Sequence, residues 1–141
     1  MRGNVLVVDD QPLSRIALAN DLRDSGFEVQ EASDGVQGWA LFCRQAPDLV
    51  VTDLVMPKSD GLDLLSRIKS RSDVPVVLFS AHGSVQTTAA AFKAGAQDFL
   101  AADELGGEDI VERIARTLET NGSNRKNSPI YRHFSGQAES I

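Results

Sequence analysis

The sequence predicts an α/β fold built on a parallel five-stranded sheet, and three observations carry that expectation. Apolar runs without alternation read as strands buried on both faces: Val5-Leu6-Val7-Val8, Leu49-Val50-Val51 and Val74-Pro75-Val76-Val77-Leu78-Phe79. Each run ends on polar groups, namely Asp9-Asp10, Asp53 and Ser80. Between the runs the pattern changes to helical spacing. Strand and helix alternate five times with connections of a few residues, which favours parallel pairing through right-handed crossovers.

The first strand covers about Asn4 to Val8, and Asp9-Asp10-Gln11-Pro12 starts a helix with an acidic cap and an early proline. In that helix Leu18 and Leu22 lie one turn apart, Leu13, Ile16 and Ala17 widen the apolar side, and Ser25-Gly26 stops it. Phe27-Glu28-Val29-Gln30 alternates, as a strand nearer a sheet edge should. Ser33-Asp34-Gly35 opens a second helix whose apolar set is Val36, Trp39, Ala40 and Cys43, and Pro47 ends it. After the third strand, Ser59-Asp60-Gly61 starts a helix with Leu62, Leu65 and Ile68 on one side. Arg71-Ser72-Asp73 leads into the fourth strand. The fourth helix, Ser84 to Ala94, is rich in Ala and Thr; Val85, Ala89 and Phe92 are spaced to face the sheet, and Gly95 ends it. Gln97-Asp98-Phe99-Leu100 makes a short fifth strand, and Ile110, Val111, Ile114 and Leu118 give a last amphipathic helix.

Beyond Thr120 the stretch from Asn121 to Pro129 is polar and rich in helix breakers, which reads as a linker. The expected organisation is one domain over residues 1–120, with 121–141 a linker or tail, or the front of a further domain cut short. At 141 residues the chain can bury a core without staples. Its lone cysteine, Cys43, excludes an internal disulfide and is expected to be a buried thiol. No apolar run reaches the ~20 residues of a membrane span and Met1-Arg2-Gly3-Asn4 leads straight into a strand, so a cytoplasmic protein is expected. Net charge is -6, with +2 in residues 121–141 and -8 in the rest, which argues against this domain gripping nucleic-acid phosphates.

Parallel strands put Asp9, Asp10, Asp53 and Ser80 along one sheet edge, where open α/β sheets bind ligands. Carboxylates gathered there repel, so either one pKa is raised or a cation lies among them. Mg²⁺ suits a partly hydrated site of one or two carboxylates that also meets a phosphate. Helix capping would need only one of Asp9 and Asp10.

With these pieces in place the chain resembles the receiver domains of two-component response regulators over residues 1 to about 120. The resemblance lies in Val8-Asp9-Asp10, Thr52-Asp53-Leu54-Val55-Met56-Pro57, Asp60-Gly61, Phe79-Ser80-Ala81-His82 and the run from Lys93 to Leu100. It implies a flavodoxin-like doubly wound sheet of strand order 2-1-3-4-5 with five helices. Asp53 would be the phosphoacceptor, taking a phosphoryl group from a histidine kinase or phosphotransfer protein. Asp10 and Asp53, with the Val55 carbonyl, would hold Mg²⁺, and Asp9 would assist through water. Ser80 would be the switch hydroxyl, and Phe99 would be the aromatic switch position or, as an aromatic on strand five, ordinary core. The chain would then be a phosphorelay switch that regulates an attached or separate output, such as transcription.

One departure stands out. Where the family carries Lys-Pro after the fifth strand, this chain has Ala102-Asp103, and Glu104, Glu108 and Asp109 nearby are acidic. The lysine is the cation that pairs with the phosphoacceptor; Lys58 is the nearest alternative in sequence, though its plainer reading is a solvent-exposed lysine. The rival expectation is therefore an atypical receiver that binds a partner in one fixed state, independently of phosphorylation. Steady turnover of phosphate esters is not expected, because aspartate-nucleophile phosphatases place a second Asp where Val55 stands. Slow self-dephosphorylation is compatible with the site; His82, in the loop after Ser80, is read as a surface histidine rather than a base. A weak homodimer through the fourth helix, fifth strand and fifth helix completes the set of expectations.

Overall fold

The computed structural model describes residues 2–56, 60–81, 84–101 and 107–127. The elements follow as β1 (Asn4–Val8), α1 (Pro12–Asp24), β2 (Glu28–Ala32), α2 (Gly35–Arg44), β3 (Leu49–Asp53), α3 (Gly61–Lys69), β4 (Val76–Ser80), α4 (Val85–Lys93), β5 (Asp98–Ala101) and α5 (Gly107–Asn127). The strands form one sheet in the order β2-β1-β3-β4-β5, every pair parallel. This is the flavodoxin-like arrangement with five helices that the sequence leads one to expect.

Alternate strand residues face opposite layers. Leu6, Val8, Val50, Val76 and Leu78 pack with Phe42 of α2, Leu64, Leu65 and Ile68 of α3 and Ala91 of α4. Val5, Val7, Val51, Val77 and Leu100 pack with Leu22 of α1 and Ile114 of α5. Removing a leucine side chain from water in this way contributes roughly 1.5–3 kcal/mol. The unalternating strand sequences follow directly from having a helical layer on each face.

The helices sit on the sheet at other angles than their bulkiest residues suggest. On α1, Leu13 is 86% exposed, Ile16 and Ala17 also face outward, and Ala19 and Leu22 are buried. On α2, Val36, Ala40 and Cys43 are exposed and Trp39 is half-buried, while Gly35, Gly38 and Phe42 face inward. Cys43 is thus a surface thiol, not a buried one. The reason is close approach: α2 rides on β1 through Gly38, where a Cβ would press to 3.0 Å on Val8 Cγ2. On α4, Val85 is 86% and Phe92 48% exposed, Ala89 is exposed too, and Ala91 is the buried residue. The expectation that Val85, Ala89 and Phe92 face the sheet is overturned: the helix is turned so that the short Ala91 meets the core and the bulkier residues point away. On α3, Leu65 and Ile68 are buried as expected, joined by Leu64, with Leu62 half-buried.

Helix α5 also runs further than the sequence indicates, reaching Asn127 where a linker is read from Asn121 onward. Once a helix is established each further residue adds a hydrogen bond, and one glycine costs only about 1 kcal/mol. Lys58, His82, Ala102, Asp103, Glu104 and residues 128–141 lie outside the described residues. Among the described residues no helix is long and apolar enough to cross a membrane.

Candidate functional site

Asp9 follows β1 directly, and its amide continues the sheet by donating to the Ala32 carbonyl at 3.0 Å. Its carboxylate is turned to the start of α1, where Oδ1 accepts the Gln11 amide at 2.9 Å, and the residue is almost wholly buried. Asp53 is the last residue of β3, opposite Phe79 of β4. Behind it, Gly61 donates its amide to the Leu54 carbonyl at 2.8 Å. A Cβ on Gly61 would run into the Asp53 carbonyl oxygen and crowd Leu54 Cα. The Asp60-Gly61 pair therefore does two things: Asp60 caps α3 by accepting the Asp63 amide at 2.9 Å, and Gly61 lets the helix start against the end of β3.

Carboxylate oxygens of Asp9, Asp10 and Asp53 all lie within 4.8 Å of one another. They line a cavity of about 660 Å³ together with Gln11, Ser14, Val55, Met56, Phe79, Ser80 and Ala81. Five of the residues singled out from the sequence, Asp9, Asp10, Asp53, Val55 and Ser80, thus share one pocket at the carboxyl edge of the sheet. Phe99 does not line it; it sits on β5 opposite Leu78, half-buried against the core on the α4 side. Ala102 falls outside the described residues. Gln11 and Ser14 were not singled out, although a first helical turn directly after Asp9-Asp10 must overlook the same edge.

The electrostatics are those of crowded anions. Asp53 is pushed up to about 6, foremost by burial and then by the Asp9 charge, with Asp10 adding to it. Hydrogen bonds from the Val55 and Leu54 amides oppose the rise. Asp9 is raised as well, again foremost by burial, against the pull of the Gln11 amide and the Arg15 charge. Three carboxylates so placed offer a hard divalent cation several oxygen ligands and would be relieved by its charge. The donor set fits Mg²⁺ in kind. No described lining residue is cationic.

The sequence matches the family model of the response regulator receiver domain over residues 5–115. This chain belongs to the response regulator receiver family. The receiver is 34% identical over 115 residues to the DNA-binding dual master transcriptional regulator RpaA of Synechocystis sp., a match covering 79% of this chain and 46% of RpaA. It is 37% identical over 125 residues to the transcriptional regulatory protein PrrA of Mycobacterium tuberculosis, covering 88% of this chain and 53% of PrrA. The chain spans about half the length of these relatives. Among solved structures it resembles NtrX from Brucella abortus, crystallised in complex with ATP, with a TM-score of 0.83 and 33% identity over 92% of this chain and 30% of NtrX. A receiver domain protein from Clostridium thermocellum covers 85% of this chain and 97% of its own, with a TM-score of 0.76 and 27% identity.

Proposed function

We propose that this receiver is a phosphorylation switch in a two-component relay, with Asp53 as the phosphoacceptor. The observation that carries the proposal is the convergence of the Asp9, Asp10 and Asp53 carboxylates within 4.8 Å at the sheet edge. In the reaction an Asp53 carboxylate oxygen attacks the phosphorus of a phosphohistidine donor. The new O–P bond forms as the P–N bond breaks, and the departing imidazole takes up a proton. Asp10, Asp53 and the Val55 carbonyl would hold Mg²⁺, with Asp9 acting through water, and the ion would supply positive charge to the phosphoryl oxygens. Ser80, at the end of β4 on the same cavity, would donate its hydroxyl to a phosphoryl oxygen, and Phe99 would follow as α4 and β5 readjust. The domain would occupy residues 1–120 of a cytoplasmic protein, with 121–141 leading to an output such as a transcriptional module. Phosphate release would be slow self-dephosphorylation and not enzymatic turnover.

Exposed Val85 and Phe92 on α4 support a weak homodimer through α4, β5 and α5. Sedimentation that stays monomeric at high concentration with beryllofluoride would count against it. Mass spectrometry after incubation with acetyl phosphate and Mg²⁺ tests the switch itself. One added phosphoryl group that maps to Asp53 and is lost in Asp53→Asn is the expected result. No modification, together with no beryllofluoride binding, would refute it.

Ala102, where the family has lysine, favours a second reading: a receiver that docks its partner in a fixed state. Partner binding unchanged by Asp53→Asn is the outcome that selects this reading.

A further inference from the structure

Arg15, on α1, reaches back under the acidic pocket. Its Nη1 donates to the Asp9 carbonyl at 3.0 Å and its Nε to Glu31 Oε1 at 3.2 Å. Glu31, on β2, is held from its other oxygen by Arg23 Nη2 at 3.1 Å. The Arg15 side chain is 17% exposed, against 43% for Arg23, so the inner arm of this chain of contacts is sheltered and the outer arm is in solvent.

We propose that Arg15 is a positioning residue for the acidic pocket, fixing the connection that carries Asp9 and Asp10 while Glu31 holds its guanidinium in place. The Asp9 carbonyl belongs to the planar peptide unit that joins Asp9 to Asp10. A hydrogen bond to that oxygen sets the plane, and with it the direction in which Asp10 leaves the sheet. Asp9 is pinned at two further points, its amide to Ala32 and its carboxylate to the Gln11 amide, and the Arg15 amide donates to the Gln11 carbonyl at 2.9 Å, which closes the turn. Arginine suits the task because its planar fork can reach a carbonyl and a carboxylate at once, whereas a lysine ammonium is a point charge on a flexible stem. The guanidinium also brings positive charge close to a pocket whose described lining has none, and that charge draws the Asp9 carboxyl downward against burial.

The inference rests on the reading of the pocket as the Mg²⁺-dependent phosphoacceptor site, and its test separates the two. Mg²⁺ titration and acetyl phosphate labelling are run on the full chain for wild type, Arg15→Met, Arg15→Lys and Arg23→Met. Arg15→Met is expected to weaken Mg²⁺ binding by about tenfold, as loss of a group that orients metal ligands does, with the labelling rate recovering at saturating Mg²⁺. Arg15→Lys restores the charge but not the fork and stays several-fold weak. Arg23→Met loses the same glutamate contact on the outer arm and should bind as wild type. Wild-type affinity in Arg15→Met, or an equal loss in Arg23→Met, overturns the proposal. If wild type neither binds Mg²⁺ nor accepts phosphate, the switch reading fails, and hydrogen exchange in metal-free protein still decides the positioning role. The Asp9 and Gln11 amides should then exchange about tenfold faster in Arg15→Met than in wild type, and unchanged exchange rejects it.

Discussion

Helices α3 and α4 are each nine residues long and each begins with a side-chain cap, Asp60 for α3 and Ser84 for α4. They differ in what they give the core. From α3, Leu64, Leu65 and Ile68 are wholly or almost wholly withdrawn from water; from α4, Ala91 alone is buried, while Val85 and Phe92 stand in solvent. Neighbouring helices on one face of one sheet are therefore held by very different amounts of apolar surface. A firmly packed helix whose first residue presses on the end of β3 keeps Asp53 in place. A lightly packed helix beyond Ser80 can shift at small cost. On the proposed reading of the receiver as a switch, its rigid and movable parts would be separated by which side chains each helix buries.

The contrast is sharpest in the core. Leu65→Ala should destabilise the fold by about 2–5 kcal/mol, seen as a lower urea midpoint at unchanged slope, whereas Phe92→Ala should cost under about 0.5 kcal/mol. Equal losses would remove the distinction between the two helices. Gly61→Ala comes next, at about 1–3 kcal/mol, because a methyl group meets the Asp53 carbonyl; it should also weaken Mg²⁺ binding by displacing Asp53.

Protonation supplies a test of the rigid side. Asp53 has a pKa of about 6 in the fold against 3.8 ordinarily, so its contribution favours folding fully below pH 3.8 and is lost as pH rises through 6. With partial solvent screening, Asp53→Asn should therefore stabilise the metal-free protein at pH 7.5 by about 1–2 kcal/mol, and the gain should vanish near pH 4. A melting-temperature series over that pH range, with Mg²⁺ removed by chelation, checks both size and sign. On the movable side, Ser84→Ala removes the hydroxyl that caps the Thr87 amide at 3.0 Å. It should cost about 1 kcal/mol locally and speed amide exchange in α4 with little change in α3.

Much of this was legible from the chain. The strands β1, β3 and β4 are marked by runs of aliphatic residues, and the polar residue that ends each one places the pocket without further information. Helix phase was legible only in part: Leu22, Leu65, Ile68 and Ile114 are buried as read. Leu13, Ile16, Val36, Val85 and Phe92 are the bulky residues a periodic reading turns inward, yet all are exposed. Helices that ride directly on a sheet meet it through Ala19, Gly38 and Ala91, where short side chains permit close approach, and a pattern search weighted by bulk is drawn to the opposite face. Arg15 was missed for a related reason: its partners, the Asp9 carbonyl and Glu31, come together only when β2 is laid beside β1, which no local pattern encodes.

The length of α5 has a mechanical consequence. Leu118 still packs on the core, and the backbone stays helical to Asn127, about 13 Å further along the axis. A continuous hydrogen-bonded rod resists bending and twisting far better than a coil of the same length. A small rotation of its base, beside β5, would therefore reach the far end as a rotation and would be amplified there into a sideways sweep. An output module joined at that end, as proposed above, would be steered by a lever and not held on a loose leash.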